Sequence, residues 1–262
     1  MAMDLHLAFQ ANPASGLVLL AAAGLVAGTL NAFAGGGSFI TLPALIAVGL
    51  PAVAANASST LAVLPGSVAS AWVHRREVVS VGPVGLISIL AVSVAGGLVG
   101  GVLLLVTPSR LFDRIVPWLM LAASLALWTG PRLRQALQRT DRRLGAAPLL
   151  AGQGLLGVYG GYYGGGVGIM AMAFWGLASD QDLKTLTPVR ILTSVAMNAA
   201  AVAYFIAMGA IRWPQTMAVL AGAVAGGYVG AVWGRRLSAK VIRAVVLAVA
   251  TITTIAFFLR AA

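Results

Sequence analysis

The chain has 262 residues, 60% of them hydrophobic and only 9% Asp, Glu, Lys or Arg, against about 25% charged in an ordinary soluble domain. It has no cysteine, and its histidines are His6 and His74, which excludes a disulfide framework, a thiolate or imidazole metal cluster and a thiol nucleophile. A formal net charge of +11 would suit nucleic acid if it formed one patch, but here the charges are separated by long neutral runs.

No Asp, Glu, Lys or Arg occurs between Asp4 and Arg75, and further neutral runs cover 78–109, 115–131, 144–179, 191–211, 213–234 and 244–259. About 20 apolar residues cross a bilayer as a helix. Only helices and closed barrels satisfy their backbone groups there, and these runs lack the alternation of barrel strands. The expected fold is therefore all-α, a polytopic transmembrane helical bundle. Residues 1–12 carry no Lys or Arg, so a cleaved signal peptide is not expected.

In chain order, an apolar segment at 17–50 is interrupted at Gly35, Gly36 and Gly37, and spans follow at 57–73, 82–106 and 111–130. Residues 131–146 are polar and rich in arginine. The plan then recurs: 147–179, interrupted at Gly164, Gly165 and Gly166, then 189–209, 214–234 and 241–259. Each glycine costs a helix interior about 1 kcal/mol against alanine. The natural reading is two short helices meeting at a glycine tip, either re-entrant or as a spanning hairpin.

The two halves match at an offset of about 130 residues: Gly28 to Gly37 with Gly157 to Gly166, and Gly96 to Gly100 with Gly226 to Gly230. Three domains are expected: an N-terminal transmembrane repeat at 1–130, a basic cytoplasmic linker at 131–146 and a C-terminal transmembrane repeat at 147–262. If each broken segment returns to its own side, Arg75, Arg76, the linker arginines, Lys184, Arg190, Arg235, Arg236, Lys240 and Arg243 all face the cytoplasm. That leaves Arg110, Arg114, Arg212 and Arg260 outside, as the positive-inside rule favours. If each segment instead crosses once, the split is nearly even. The first arrangement gives each half an odd number of crossings, inverts the halves and puts both termini outside. It is the inverted-repeat plan of secondary transporters.

A glycine break inside a membrane exposes backbone N–H groups and the positive end of a half-helix, which attract anions. Ser38 adds a hydroxyl after the first tip, and Tyr159, Tyr162 and Tyr163 offer phenols beside the second. The pairs Gly96/Gly100, Gly157/Gly161 and Gly226/Gly230 are read as helix-packing contacts. Asn56, Ser58, Ser59 and Thr60 open the next span of the first half. In the second half, Pro188 suits a first helical turn and Arg190 follows it. Arg190 is either an interfacial cation or a bidentate oxyanion clamp. Asn198 is either an interhelical hydrogen-bonding residue or part of the site. The carboxylates Asp4, Glu77, Asp113, Asp141, Asp180 and Asp182 fall in termini or loops, so no carboxylate relay lies in a span. No nucleotide-gripping motif is present.

The run Ala34-Gly-Gly-Gly-Ser38, then Leu42-Pro43-Ala44-Leu45, Gly49-Leu50-Pro51 and Asn56-Ala-Ser-Ser-Thr60 through Pro65-Gly66, resembles the first repeat of the sulfite exporter (TauE/SafE) family, also called toluene-sulfonate uptake permeases. The second repeat is similar through Gly157 to Gly166, Arg190 to Asn198, Gly209 and Trp213. The resemblance implies a transporter for sulfite or small organosulfur anions. It carries the glycine tips onto Gly35, Gly36, Gly37 and Gly164, Gly165, Gly166, the polar patch onto Asn56 and Thr60, and the basic position and its amide onto Arg190 and Asn198. Ser59 stands where the family often has asparagine. The site expected is Gly35, Gly36, Gly37, Ser38, Asn56, Ser59, Thr60, Tyr163, Gly164, Gly165, Gly166, Arg190 and Asn198. The expected function is export of sulfite-like or organosulfonate anions across a bacterial cytoplasmic (inner) membrane. The alternative is a permease for another small anion or sulfur compound, running either outward or inward. The expected partners are the small anion and the lipid bilayer, not nucleic acid. No cofactor, metal or catalytic residue is expected, and the oligomeric state stays open.

Overall fold

The computed structural model describes residues 13–34, 36–137, 144–176, 181–233 and 239–261. These form ten helices: α1 (Pro13–Ala34), α2 (Ser38–Ala47), α3 (Ala52–His74), α4 (Leu86–Val106), α5 (Ser109–Leu137), α6 (Ala146–Tyr162), α7 (Val167–Trp175), α8 (Leu183–Ala207), α9 (Trp213–Trp233) and α10 (Ala239–Ala261). Among the described residues there is no β-strand, only an isolated bridge between Val81 and Val84. Among the described residues, four helices are long and apolar enough to cross a membrane, through Ala14–Asn31, Ala52–His74, Leu86–Val106 and Thr185–Ala207.

Several boundaries differ from the sequence reading, each for a local reason. Helix α3 starts at Ala52, not 57, because Pro51 precedes the helix with φ −57° and ψ 140° and Ala52–Ala55 extend it readily. Asn56, Ser58, Ser59 and Thr60 therefore lie inside the helix instead of opening it. Helix α4 starts later than 82, since Gly82, at φ 54°, and Pro83 turn the chain between Val81 and Val84. Helix α8 starts at Leu183, with Leu186 N donating to Asp182 O at 3.1 Å, so Pro188 is internal and Arg190 sits about two turns deep. Asp113, read as a loop residue, belongs to α5, whose first turn bonds from Leu111 and Phe112 back to Pro108 O. That helix also runs through 131–137 of the expected linker, where arginine, leucine, glutamine and alanine are good helix formers.

The polarity is inverted relative to a water-soluble bundle. Val18, Trp72, Ile87 and Leu155 are all more than 60% exposed, while Asn56, Ser58, Ser59, Thr60, Ser93 and Gln153 are buried. Each long helix turns aliphatic side chains outward, a surface that hydrocarbon solvates and water does not. Several of the buried polar groups satisfy one another or the backbone. Gln153 donates to Ser93 Oγ at 2.8 Å and accepts from Trp175 Nε1 at 3.0 Å.

Two tight seams hold the bundle. Helix α1 packs on α9, and α4 packs on α6 and α8. Both are glycine seams. A Cβ on Gly28 would fall 2.1 Å from Ala223 O, and one on Gly226 1.9 Å from Leu25 O. In the other seam, a Cβ on Gly100 would fall 2.1 Å from Val158 O, and one on Gly161 2.0 Å from Gly97 O. Without a hydrophobic drive between helices in lipid, such close backbone approach is what associates them. An apolar cluster built on Phe39, Leu42, Leu45, Leu104, Phe112, Met120, Tyr163 and Phe205 fills the region of α2 and the start of α5.

Candidate functional site

Two short interhelix segments flank the site. Helix α6 ends at Tyr162, and Tyr163, Gly164, Gly165 and Gly166 lead into α7. Gly164 and Gly166 have φ values of 81° and 74°, a left-handed backbone that a Cβ disfavours by about 1–2 kcal/mol. Between α1 and α2 the chain passes through Gly36 and Gly37, while Gly35 lies outside the described residues. Gly37 has φ −57°, so it is glycine for space: a Cβ there would meet Ala27 O at 3.1 Å and Val63 Cγ1 at 3.3 Å. Turn conformation selects glycine in one segment, and close packing selects it in the other.

The two segments approach each other. The Phe39 ring meets the Tyr163 ring edge-on, centroids 6.5 Å apart, and Tyr163 meets Tyr159 in the same way at 5.9 Å. Tyr159 Oη lies 2.9 Å from Gly165 O and 3.0 Å from Leu119 O, which ties the second turn to α5. Asn56 Nδ2 donates to Tyr162 O at 2.9 Å, so α3 anchors the same turn.

A cavity of about 490 Å³ opens beside these turns. Its deep wall is Ser38, Gly164, Val167, Gly168, Arg190 and Asn198, and its outer wall follows α3 through Ser67 and Ser70 to His74. From Ala62 to His74 the helix rises about 18 Å, so the cavity is a deep vestibule that reaches from the glycine turns to His74. At the His74 end, His74 Nδ1 lies 3.1 Å from Glu77 Oε2, and the Arg75 guanidinium stacks over Trp72 at 4.2 Å.

The chemistry of the deep wall favours an anion. In α7, Ile169 N and Met170 N donate back to Gly166 O. Val167 and Gly168 precede them on the cavity wall, where the N-terminal N–H groups of a helix lack intrahelical acceptors. The Arg190 side chain crosses this helix end: a Cβ on Gly168 would come within 3.1 Å of Nη1 and 3.3 Å of Cδ. Among the described residues the ion pair is His74 with Glu77, so no described carboxylate neutralises Arg190. A guanidinium in a membrane interior is costly unless a counter-charge accompanies it.

Of the residues expected from the sequence, Ser38, Gly164, Arg190 and Asn198 line the cavity. Thr60 lies just behind, since a Cβ on Gly164 would be 3.9 Å from Thr60 Oγ1 and 3.6 Å from Asn198 Oδ1. Thr60 Oγ1 itself donates to Asn56 O at 2.9 Å. Ser59 is turned away and shares a hydrogen bond with Thr41. Gly36, Gly37, Gly165 and Gly166 are buried behind the wall. Tyr163 is fully buried and its hydroxyl has no protein partner, as is true of Asn56 Oδ1 and Asn198 Oδ1. The Tyr162 hydroxyl donates to Thr107 at 3.3 Å, so two of the three phenols, those of Tyr159 and Tyr162, serve the fold. The sequence reading missed Asn31, Ser67, Ser70, Gly168 and Ser194, which also line the cavity. Asn31 donates to Ser67 Oγ at 3.3 Å, and its place one turn before the first glycine run was the available signal.

A model of the sulfite exporter TauE/SafE family matches residues 20–257. The chain belongs to this family. It is similar to a probable membrane transporter protein of Haemophilus influenzae, 30% identical over 220 residues that cover 82% of this chain and 84% of the relative. It is also similar to the probable membrane transporter protein ORF9 of a Sinorhizobium species, 29% identical over 87% of this chain and 86% of the relative. A third relative, the probable membrane transporter protein YfcA of Escherichia coli, is 29% identical over 87% of this chain and 84% of its own length. No solved structure matches significantly. Family and apolar surface together make this TauE/SafE member an integral membrane transporter.

Proposed function

We propose that this TauE/SafE protein exports sulfite or a small organosulfonate, held where the first turn of α7 meets Arg190, Asn198 and Ser38. The observation that carries the reading is Arg190: a guanidinium at the deep wall, across a helix N-terminus, with no carboxylate partner among the described residues. An oxyanion supplies the missing counter-charge and accepts both a bidentate guanidinium contact and helix-end amides. The inside-negative potential of a cell drives each negative charge outward with about 2.3 kcal/mol per 100 mV, so export needs no carboxylate relay.

Two inverted repeats, 1–130 and 147–262, are part of this reading. At their offset α1 corresponds to α6 and α4 to α9, so the α1–α9 seam is the counterpart of the α6–α4 seam. Ser124 Oγ and Thr254 Oγ1, separated by 130 residues, lie 3.3 Å apart, as equivalent residues beside a two-fold axis do. Both correspondences support duplication, and the odd number of crossings per half makes the relation an inversion. With the linker in the cytoplasm of a bacterium, the His74 end of the vestibule faces inward, both termini lie outside, and the packed Phe39–Phe205 cluster closes the outer half.

The test is flux in proteoliposomes, measured for sulfite, thiosulfate, sulfonates and carboxylates. Arg190→Gln is expected to lower sulfite flux about 10–100-fold, the worth of hydrogen bonds to a charged group. Arg190→Lys should retain part of it. Unchanged flux in Arg190→Gln, with thermal melting showing a folded protein, would remove the guanidinium from the site. Transport of carboxylates in place of every sulfur oxyanion would leave the anion path and overturn the substrate.

A further inference from the structure

A second cavity, of about 260 Å³, is lined by Arg110, Asp113, Arg114, Phe257 and Arg260. Arg110 and Arg114 stand one turn apart on one face of α5, and Arg260 comes from the last turn of α10, which packs on α5. Like charges at this helical spacing repel, and a third guanidinium adds to the repulsion. Asp113 forms no ion pair with any of them, the described pair being His74 with Glu77. The face continues away from the helix ends as apolar and aromatic surface. Trp118, one turn beyond Arg114, is 64% exposed and meets Phe258 edge-on at 5.1 Å, while Leu111, Ile255 and Leu259 are also exposed. Cations at the helix ends, then aromatics, then aliphatic surface reproduce the polarity gradient of a phospholipid from headgroup to acyl chain.

We propose that Arg110, Arg114 and Arg260 clamp the phosphodiester of an anionic phospholipid, whose acyl chain lies along Trp118, Phe258 and Ile255. Planar guanidiniums converging from two helices suit a phosphate, and the apolar track favours a lipid over a soluble oxyanion. The proposal rests neither on the transported substrate nor on which leaflet this end occupies.

Native mass spectrometry of the full-length protein in detergent tests it, with phosphatidylglycerol and phosphatidylcholine as probes. Phosphatidylglycerol should be retained in preference, and its apparent affinity should fall about fivefold for each arginine changed to glutamine at 110, 114 and 260. Arg212→Gln removes the same charge from outside the cavity and should leave retention unchanged. Equal retention by the triple variant, or an equal loss with Arg212→Gln, would overturn the clamp. If the triple variant does not fold, the single variant Arg260→Gln carries the same comparison. Inorganic phosphate is the soluble arm: if it raises the melting temperature of delipidated wild type where phosphatidylglycerol does not, the site takes a soluble oxyanion and the lipid assignment falls.

Discussion

Gly168 sets how close Arg190 lies to the helix end that it crosses. An alanine there would put its methyl 3.1 Å from Nη1 and 3.3 Å from Cδ, so the guanidinium would have to shift by a few tenths of an ångström or more. A misplacement of about 1 Å can cost about 100-fold in rate, and a shift of a few tenths correspondingly less. Gly168→Ala is therefore expected to lower sulfite flux several-fold while leaving the melting temperature near wild type. Wild-type flux in that variant would show that the guanidinium position is not critical. At this scale the sequence was informative where a residue is expensive: an arginine or an asparagine in an apolar run needs a reason, and Arg190 and Asn198 both reach the cavity. It was uninformative where a residue is cheap. Ser67, Ser70 and Ser194 look like any small polar residue in a span, and only the packing of α3, α8 and α9 puts them on one wall.

Helices meet here through glycine, and the two kinds of glycine can be told apart. Gly161 and Gly226 press against backbone carbonyls of a neighbouring helix, whereas Gly66 and Gly227, which line the vestibule, have nothing within 4 Å of an added Cβ. Gly161→Ala and Gly226→Ala should each destabilise the protein by about 1–3 kcal/mol, the usual cost of overpacking, seen as a lower melting temperature in detergent. Gly66→Ala should be neutral or slightly stabilising, since alanine is the better helix former. Equal melting of all three would refute the seams. The small-residue spacing in the sequence foretold packing for Gly96, Gly100, Gly157, Gly161 and Gly226, but not which helix each would meet. Spacing also misjudged where helices begin, because Pro51, Asp182 and the Gly82–Pro83 turn decide that through backbone geometry that hydropathy does not register.

Over the whole molecule the vestibule runs along α3 to His74, and the absence of cysteine makes its sidedness testable directly. Single cysteines at Ser70, near the His74 end, and Ser194, deeper in, should react with a membrane-impermeant maleimide added from the His74 side of oriented vesicles. Sulfite should slow the reaction at Ser194→Cys more than at Ser70→Cys. Faster labelling of both from the Arg212 side would reverse the sidedness and with it the resting state inferred for the transporter.

The sequence by itself determined that the chain is an integral membrane helical bundle, because long neutral runs leave the backbone no other way to satisfy its hydrogen bonds in lipid. It also limited the chemistry, since the few charged residues within spans are individually visible. Only the tertiary structure decided which helices form the seams, that Tyr159 and Tyr162 spend their hydroxyls on the fold, and that Arg190 lies across the start of α7. Those outcomes depend on close approach between residues 20 to 200 positions apart, and composition and spacing carry no record of such contacts.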